Sequence, residues 1–320
     1  MNNPGYSDNQ RCISVILNEL PLISVIIPVF DDADRLRLCL SALAEQTYPH
    51  DRFEVIVVDN GSAEPPRDLV ESFPFCCFVE ESKPGSYAAR NRGLEIARGD
   101  VLAFTDSDCI PDPNWLAAGQ QELAANPQCG FVGGRIQVFP RDEQRPTAVE
   151  LYDMVFGLRQ HSNIAQFQHA ATGNMMTRRA TFERCGPFDD RLKSGGDSEW
   201  GHRVTAHGLH GIYAPDAVVR HPARRTWDEI VRQSRRHAGG RFDHHQASEP
   251  YRFASLKMLR TLWRRFFPHF GRIAEARGKL RQMGYGARDW LRVAALILAL
   301  QYVTAFEFVR MWFGTASERR

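Results

Sequence analysis

No C-x-x-C framework runs through this sequence. Its seven cysteines (Cys12, Cys39, Cys76, Cys77, Cys109, Cys129 and Cys185) are odd in number and scattered. That excludes a stapled secreted scaffold and reads as reduced thiols in a cytosolic protein, most of them small core residues. A strong charge of one sign is also missing. Forty Lys and Arg against 38 Asp and Glu leave a formal charge of +2, which argues against a general nucleic-acid binder. The glycines form neither a P-loop nor a G-x-G-x-x-G fingerprint, so those two phosphate cradles are excluded. The first twenty residues have no basic-then-apolar signal and read as a polar tail. There is no internal repeat and no low-complexity tract.

What is present is an alternation of apolar strands and helices. With 320 residues, 43% of them hydrophobic, the chain suits one large α/β domain with appendages or two modest domains. Ile23–Ile27 reads as a buried strand ended by Pro28, and Phe53–Val58 as a second strand stopped by Asp59-Asn60-Gly61-Ser62. Phe75–Glu80, Val101–Thr105, Gly130–Phe139, Asn174–Thr177, His210–Ala214 and Ala217–Val219 are further strand candidates. Helices are predicted at Asp34–Gln46, Tyr87–Ala97, Pro111–Asn126 and Ser198–His207, while Pro140–Ala171 follows no clear pattern. This interval of strand and helix predicts an α/β fold, a doubly wound, mostly parallel sheet with helices on both faces.

The C-terminal region differs in character. From Arg252 to Arg292 eleven Lys and Arg face only two acids, Glu275 and Asp289, a balance suited to an anionic lipid surface or to a solvated helical face. Val293–Leu300 is wholly apolar, and the run continues to Phe313 with Gln301, Thr304, Glu307 and Arg310 as interruptions. It has the length of a membrane span. A short span, an interfacial helix and a core or dimer helix all remain open, with membrane contact favoured by the basic tract before it. The expected organisation is a tail over 1–20, an α/β domain over 21–245, and a basic helical region over 246–320 with a membrane-associating helix near 291–313.

The chemistry gathers at predicted strand ends. Asp106-Ser107-Asp108 follows the Val101 strand, and ligands of open α/β sheets sit at the carboxyl ends of strands. Two carboxylates one residue apart suit a hard divalent cation such as Mg²⁺ or Mn²⁺, which bridges naturally to a diphosphate. Asp59 ends another strand and can hold a nucleoside, or serve only as an Asx-turn residue. Phe30, after Pro28, can stack on a base or pack in the core. Lys83 to Asn91 offers Lys83, Arg90 and a helix N-terminus to phosphates. Gly195-Gly196-Asp197-Ser198-Glu199 is a second acidic cluster, in which Asp197 can be an N-cap or a functional acid. His221 can complete a metal set with the Asp pair, though most single histidines bind no metal. His237 to His245 reads as a polar loop, with zinc as the lesser reading.

Taken in order, these pieces resemble the family 2 glycosyltransferases of the GT-A fold, over roughly Ile23 to Arg241. Ile23-Ser-Val-Ile-Ile-Pro28-Val-Phe30 is similar to the family's opening strand, where Tyr is usual at Phe30. Phe53 to Ser62 is similar to its second strand, and the resemblance implies that Asp59 binds the nucleoside. Ala89-Arg90-Asn91-Arg-Gly93 looks like the segment leading to the Asp-x-Asp, matched by Asp106 and Asp108. Gly195 to Arg203 resembles the region of the catalytic base, with Gly196 where Glu is common and Asp197 at the base position. Val219-Arg-His221 is similar to the late metal- or diphosphate-binding His. Gln233-Ser-Arg-Arg236-His237 looks like the Q-x-x-R-W of processive members, with His237 in place of Trp.

The resemblance implies an inverting, metal-dependent transferase that moves a sugar from a nucleotide-diphosphate sugar, UDP-sugars being commonest, to an acceptor hydroxyl. A glycan or lipid-linked acceptor in envelope glycan synthesis, no nucleic-acid partner, and a place at the inner face of the cell membrane complete that expectation. Pro28, Phe30, Asp59, Lys83, Arg90, Asn91 and Asp106 are the expected donor contacts, Asp106, Asp108 and His221 the metal ligands, and Asp197 the base. Two other readings use the same residues: a non-catalytic nucleotide-sugar-binding subunit and a metal-dependent nucleotidyltransferase, whose usual Gly-rich signature is missing after Pro28.

Overall fold

A computed structural model of the chain describes residues 20–192, 194–248, 266–267 and 269–313. The expected tail up to residue 19 and the basic stretch 249–265 lie outside the described residues. In chain order the elements are β1 (Ile23–Val29), α1 (Ala33–Ala44), β2 (Phe53–Asp59), α2 (Arg67–Glu71), β3 (Cys76–Glu80), α3 (Ser86–Ile96), β4 (Val101–Thr105), β5 (Ile110–Pro111), α4 (Trp115–Ala125) and β6 (Cys129–Phe139). Then follow α5 (Ala148–Phe156), α6 (Gln160–Phe167), β7 (Asn174–Arg178), α7 (Arg179–Cys185), α8 (Gly196–Ala206), β8 (His210–Pro222), α9 (Trp227–Ser248), α10 (Phe270–Gln282) and α11 (Ala287–Trp312).

Eight strands form one sheet in the order β3-β2-β1-β4-β7-β6-β8-β5. The β3, β2, β1 and β4 strands are parallel; β1 and β4 are buried along almost their whole length, as expected of strands covered on both faces, while β3 is the half-buried edge. Beyond β4 the sense changes: β7 is antiparallel to both β4 and β6, and β5 to β8. The register is what matters for function. Val29 lies opposite Asp59, and Phe104 opposite Ile26, so extending β4 by two residues puts Asp106 level with Pro28. Asp59 and Asp106 therefore flank β1 at the same carboxyl edge, two strand spacings or about 10 Å apart.

The chain divides into two compact units, 1–136 with 160–190 and 197–220, and 137–159 with 191–196 and 221–320. In the first, one core lies between the sheet and α1 and α4, centred on Leu36, Leu40, Leu43 and Trp115. A second, on the opposite face, holds Phe104, Phe131, Phe182, Phe188 and Trp200, whose rings meet edge-on, tilted or stacked. The middle of the sheet is locked by Asn174. Its amide nitrogen donates to the Arg135 and Ala217 carbonyls, and its oxygen accepts from Trp115 Nε1 at 2.8 Å. Trp115→Phe leaves that buried oxygen without its donor. The expected result is a loss of about 1–3 kcal/mol, read as a lower midpoint in urea.

In the second unit α5, α9, α10 and α11 share small apolar clusters. Leu151 and Val155 meet Ala276, Leu280, Val293 and Ile297; Val149, Ile230 and Val231 meet Leu296 and Leu300; and Ala238 meets Phe308 and Met311. Buried polar groups are paired: Asp153 holds Arg224, and Glu307 holds Arg310 and Arg235.

Several local expectations are corrected. The helix expected from Pro111 starts at Trp115, because Ile110–Pro111 pairs with Val219–Arg220 as β5. The two late strands are one, β8, with Pro215 and Asp216 both outward where the in–out alternation slips. The stretch that follows no clear pattern holds α5 and α6. Its signal is Thr147-x-x-Glu150, a capping box in which Thr147 Oγ1 accepts from the Glu150 amide and the Glu150 carboxylate from the Thr147 amide. The His-rich segment expected as a loop is the end of helix α9.

Candidate functional site

The site is built at the carboxyl edge of the parallel strands. At the end of β2 the Asp59 carboxylate is only 2% exposed, and its Oδ2 accepts from the Gly61 and Ser62 amides at 3.2 Å each. Gly61 sits at φ 86°, the left-handed region the tight turn needs. The other oxygen, Oδ1, is buried with no hydrogen-bond partner. A buried acceptor without a donor carries a desolvation cost that a ligand N–H or O–H relieves. Asp31, after β1, holds the left-handed φ of 48°, and it is tied to the same turn: its amide donates to Ser62 Oγ and its carboxylate accepts from the Ala63 amide. Beside it Phe30 is 42% exposed rather than in the core.

The loop before α3 is pinned to this turn by Asn60, whose oxygen accepts from the Gly85 amide and whose nitrogen donates to the Glu81 and Lys83 carbonyls. Lys83 forms an ion pair with Asp190 at 2.7 Å. On α3, Arg90 is buried and its Nη2 donates to Asp106 Oδ1, while its guanidinium lies over the Tyr87 ring. Asn91 points elsewhere. Its amide donates to the Phe188 carbonyl and accepts from the Phe188 amide, so the structure places it in the packing of the 188 loop.

Asp106 follows β4 directly. Gly173 backs it: a Cβ there would stand 3.1 Å from Asp106 Oδ2. Gly173→Ala is therefore expected to displace this carboxylate by a few tenths of an ångström, with stability changing by less than about 1 kcal/mol, read by a crystal structure of the variant and a thermal melt. Asp108 meets Arg35 at 3.4 Å, and Arg35 also holds Asp32, which accepts from Ser107 Oγ. Burial holds the Asp32 carboxyl above its ordinary pKa against the lowering effect of Arg35, and the charge of Asp108 adds to the rise. Burial likewise pushes up the Cys109 thiol, with Asp106 and Asp108 adding to the shift. Asp106 and Asp108 offer carboxylate oxygens at this strand end, the chemistry of a hard divalent cation.

Asp197 lies in the first turn of α8. Tyr87 Oη donates to its Oδ1 at 3.3 Å, and the Ser198 amide donates to the same oxygen at 2.9 Å. His169 faces this acid. Burial lowers its pKa and Asp197 opposes that fall, leaving a neutral imidazole at neutral pH. His221 is buried on β8, one residue after Arg220, which pairs with Ile110. Its Nδ1 lies 2.8 Å from the Pro222 carbonyl, which assigns the proton to Nδ1 and the lone pair to Nε2, the tautomer a metal ligand uses.

The structure thus brings Asp106, Arg90 and Asp197 into one chain of contacts through Tyr87, with Asp59 and Asp108 at the same sheet edge. Tyr87, His169, Arg35, Asp32 and Gly173 carry no assignment in the sequence reading. Tyr87 alone leaves a signal there, standing three residues before Arg90 on a predicted helix, the spacing of side-chain neighbours.

Comparison with known proteins bears on this arrangement. The family model for glycosyl transferase family 2 matches residues 24–186. Glycosyltransferase AglE of Haloferax volcanii is 36% identical over 222 residues, 68% of this chain and 72% of that protein. The probable glycosyltransferase YdaM of Bacillus subtilis is 28% identical over 251 residues, 75% of this chain but only 58% of that protein. Among solved structures, the mannosyltransferase PcManGT from Pyrobaculum calidifontis, in complex with GDP-Man and Mn²⁺, superposes with a TM-score of 0.63. That match covers 93% of this chain and 89% of the other at 20% identity, a likeness of fold.

Proposed function

The chain belongs to glycosyltransferase family 2 and has a GT-A-like fold, and from that premise we propose that it transfers a sugar from a nucleotide-diphosphate donor to an acceptor hydroxyl, with a divalent cation and inversion at the anomeric carbon. One observation carries the reading: the run of contacts from Asp106 through Arg90 and Tyr87 to Asp197, which joins the end of β4 to the start of α8 beside the strand edge that holds Asp59 and Asp108.

The roles follow from what each group offers. Asp59 Oδ1 takes an N–H or O–H of the nucleoside, and Phe30, flanked by Pro28, gives its exposed ring to the base. Lys83 and Arg90 would supply positive charge to the diphosphate. Asn91 keeps a positioning part through Phe188. Asp108, Asp106 and His221 are the ligands for Mn²⁺ or Mg²⁺, and the bound cation supplies neutralisation of the charge on the departing diphosphate. Asp197 accepts the proton of the acceptor hydroxyl as its oxygen bonds to the anomeric carbon. The bond to the diphosphate breaks with its electron pair going to the leaving group. A single displacement of this kind inverts the centre. The acceptor is a glycan or a lipid-linked sugar, and the C-terminal region brings the enzyme to the inner face of a membrane.

The test is a screen of nucleotide sugars, UDP-sugars and GDP-mannose included, for release of nucleoside diphosphate with Mn²⁺. Release from one donor, abolished by EDTA, is the expected outcome, and the product's anomeric configuration by NMR reads the inversion. A folded chain that binds no nucleotide sugar with or without Mn²⁺ ends the proposal. One that binds but never turns over favours a non-catalytic subunit.

A further inference from the structure

Helix α11 is apolar on two opposite sides. One side is buried, with Val293, Leu296, Ile297, Leu300, Phe308 and Met311 packed inside the second unit. The other runs through Leu291, Leu298, Tyr302, Phe306, Val309 and Phe313, at steps of three, four and seven residues that stay on one side of an α-helix. On it Leu291 is 58% exposed, Tyr302 42%, Phe306 63% and Phe313 80%. Phe266 joins them, its ring 6.2 Å from Tyr302 and 5.7 Å from Phe306. The segment before α10 is fixed there by Gln301, which accepts from the His269 amide and donates to the Phe267 carbonyl. Of the eleven exposed large apolar side chains among the described residues, seven fall between Phe267 and Phe313, so the exposure is concentrated in the C-terminal helices.

Charge distinguishes the partner. Among the described residues between Phe266 and Phe313, the exposed Lys, Arg, Asp and Glu side chains are all arginine: Arg272, Arg277, Arg281, Arg288 and Arg292. The acids there are half-buried or buried beside cations, Glu275 with Arg159 and Lys279, Asp289 with Arg292, and Glu307 with Arg310. Exposed aromatic rings and exposed arginines on one pair of helices fit the headgroup level of an anionic bilayer. A transmembrane pose fits badly. It would strip the buried side of α11 from its neighbours and carry Glu307 and Arg310 into hydrocarbon.

We infer that this outward side of α11, with Phe266, Phe267 and Phe270 beside it, docks on an anionic lipid surface with the helix in the plane of the interface. The inference rests on the membrane contact proposed above and names its surface and lipid class. The test is flotation of the full chain with vesicles of phosphatidylcholine alone or with about a third phosphatidylglycerol. Wild type is expected to float with the anionic vesicles, less so at high salt, and to be released by alkaline carbonate. Tyr302→Glu with Phe306→Glu should lower partitioning about a hundredfold. Arg281→Glu with Arg288→Glu should lower it about tenfold on anionic vesicles only. Phe306→Ser with Phe313→Ser serves if the first pair melts early. Release of nucleoside diphosphate, followed in each variant, is expected to stay at the wild-type rate.

Equal flotation of the aromatic variants and wild type overturns the surface. Resistance to carbonate overturns the in-plane pose. A wild type that turns over donor, ignores vesicles and forms a dimer which the Glu pair dissociates assigns the patch to a second copy instead. A wild type that turns over donor, ignores vesicles and stays monomeric overturns the membrane contact and leaves the transferase reading standing.

Discussion

Asp197→Asn is expected to lower sugar transfer about a thousandfold while the donor dissociation constant moves less than about threefold. The argument is one of shape against basicity. The carboxylate oxygen that accepts from Tyr87 Oη and the Ser198 amide has a counterpart in the Asn carbonyl, so both bonds and the first turn of α8 survive the change. What is lost is the capacity to take a proton. The measurement is steady-state transfer beside calorimetric binding of the donor with Mn²⁺. A variant that transfers near the wild-type rate removes Asp197 from the base position. Tyr87→Phe separates positioning from proton transfer. It deletes a donor to Asp197 without touching the acid, so a fall of about tenfold in kcat with the donor dissociation constant unchanged is expected. An unchanged kcat would mean that the tyrosine only packs.

How much of this was legible beforehand depended on the length scale of the signal. The β1, β2 and β4 strands were readable because parallel strands covered on both faces are mostly apolar, and Ile23–Val29 and Val101–Thr105 are, apart from Ser24 and Thr105. Asp59 was readable because Asn60-Gly61 ends its strand with a turn. The antiparallel half was harder, since β5 has two residues and β8 crosses Pro215 without ending. Within the site, Arg90 and Asn91 show the limit. As chain neighbours they carry one sequence signal, yet a step of about 100° along α3 sends one to Asp106 and the other to Phe188. The contact of Tyr87 with Asp197 spans 110 residues and leaves no periodicity to find. The two apolar sides of α11 were visible only as a long apolar run. Assigning one side to packing required the clusters with α5, α9 and α10.

Asp108→Asn is expected to cost as much as loss of the base, more than about a thousandfold in transfer, and to leave a residue of activity that no longer responds to Mn²⁺. Carboxylate and carboxamide differ little in size here, and the Arg35 contact at 3.4 Å is exposed enough to contribute little to stability, so a thermal melt near wild type should accompany the loss. Arg35→Ala gives the opposite sign. Arg35 places a positive charge against both Asp32 and Asp108, and its removal leaves two carboxylates whose mutual repulsion favours a cation. Mn²⁺ affinity should then rise, by no more than about fivefold for so exposed a pair. Titration of Mn²⁺ by electron paramagnetic resonance reads both variants directly, without substrate. If Asp108→Asn binds Mn²⁺ as wild type does, the metal is held elsewhere and the pair of acids after β4 serves the nucleotide alone. If Arg35→Ala weakens binding, the arginine orients Asp108 rather than opposing the cation, and the electrostatic account of this strand end is wrong.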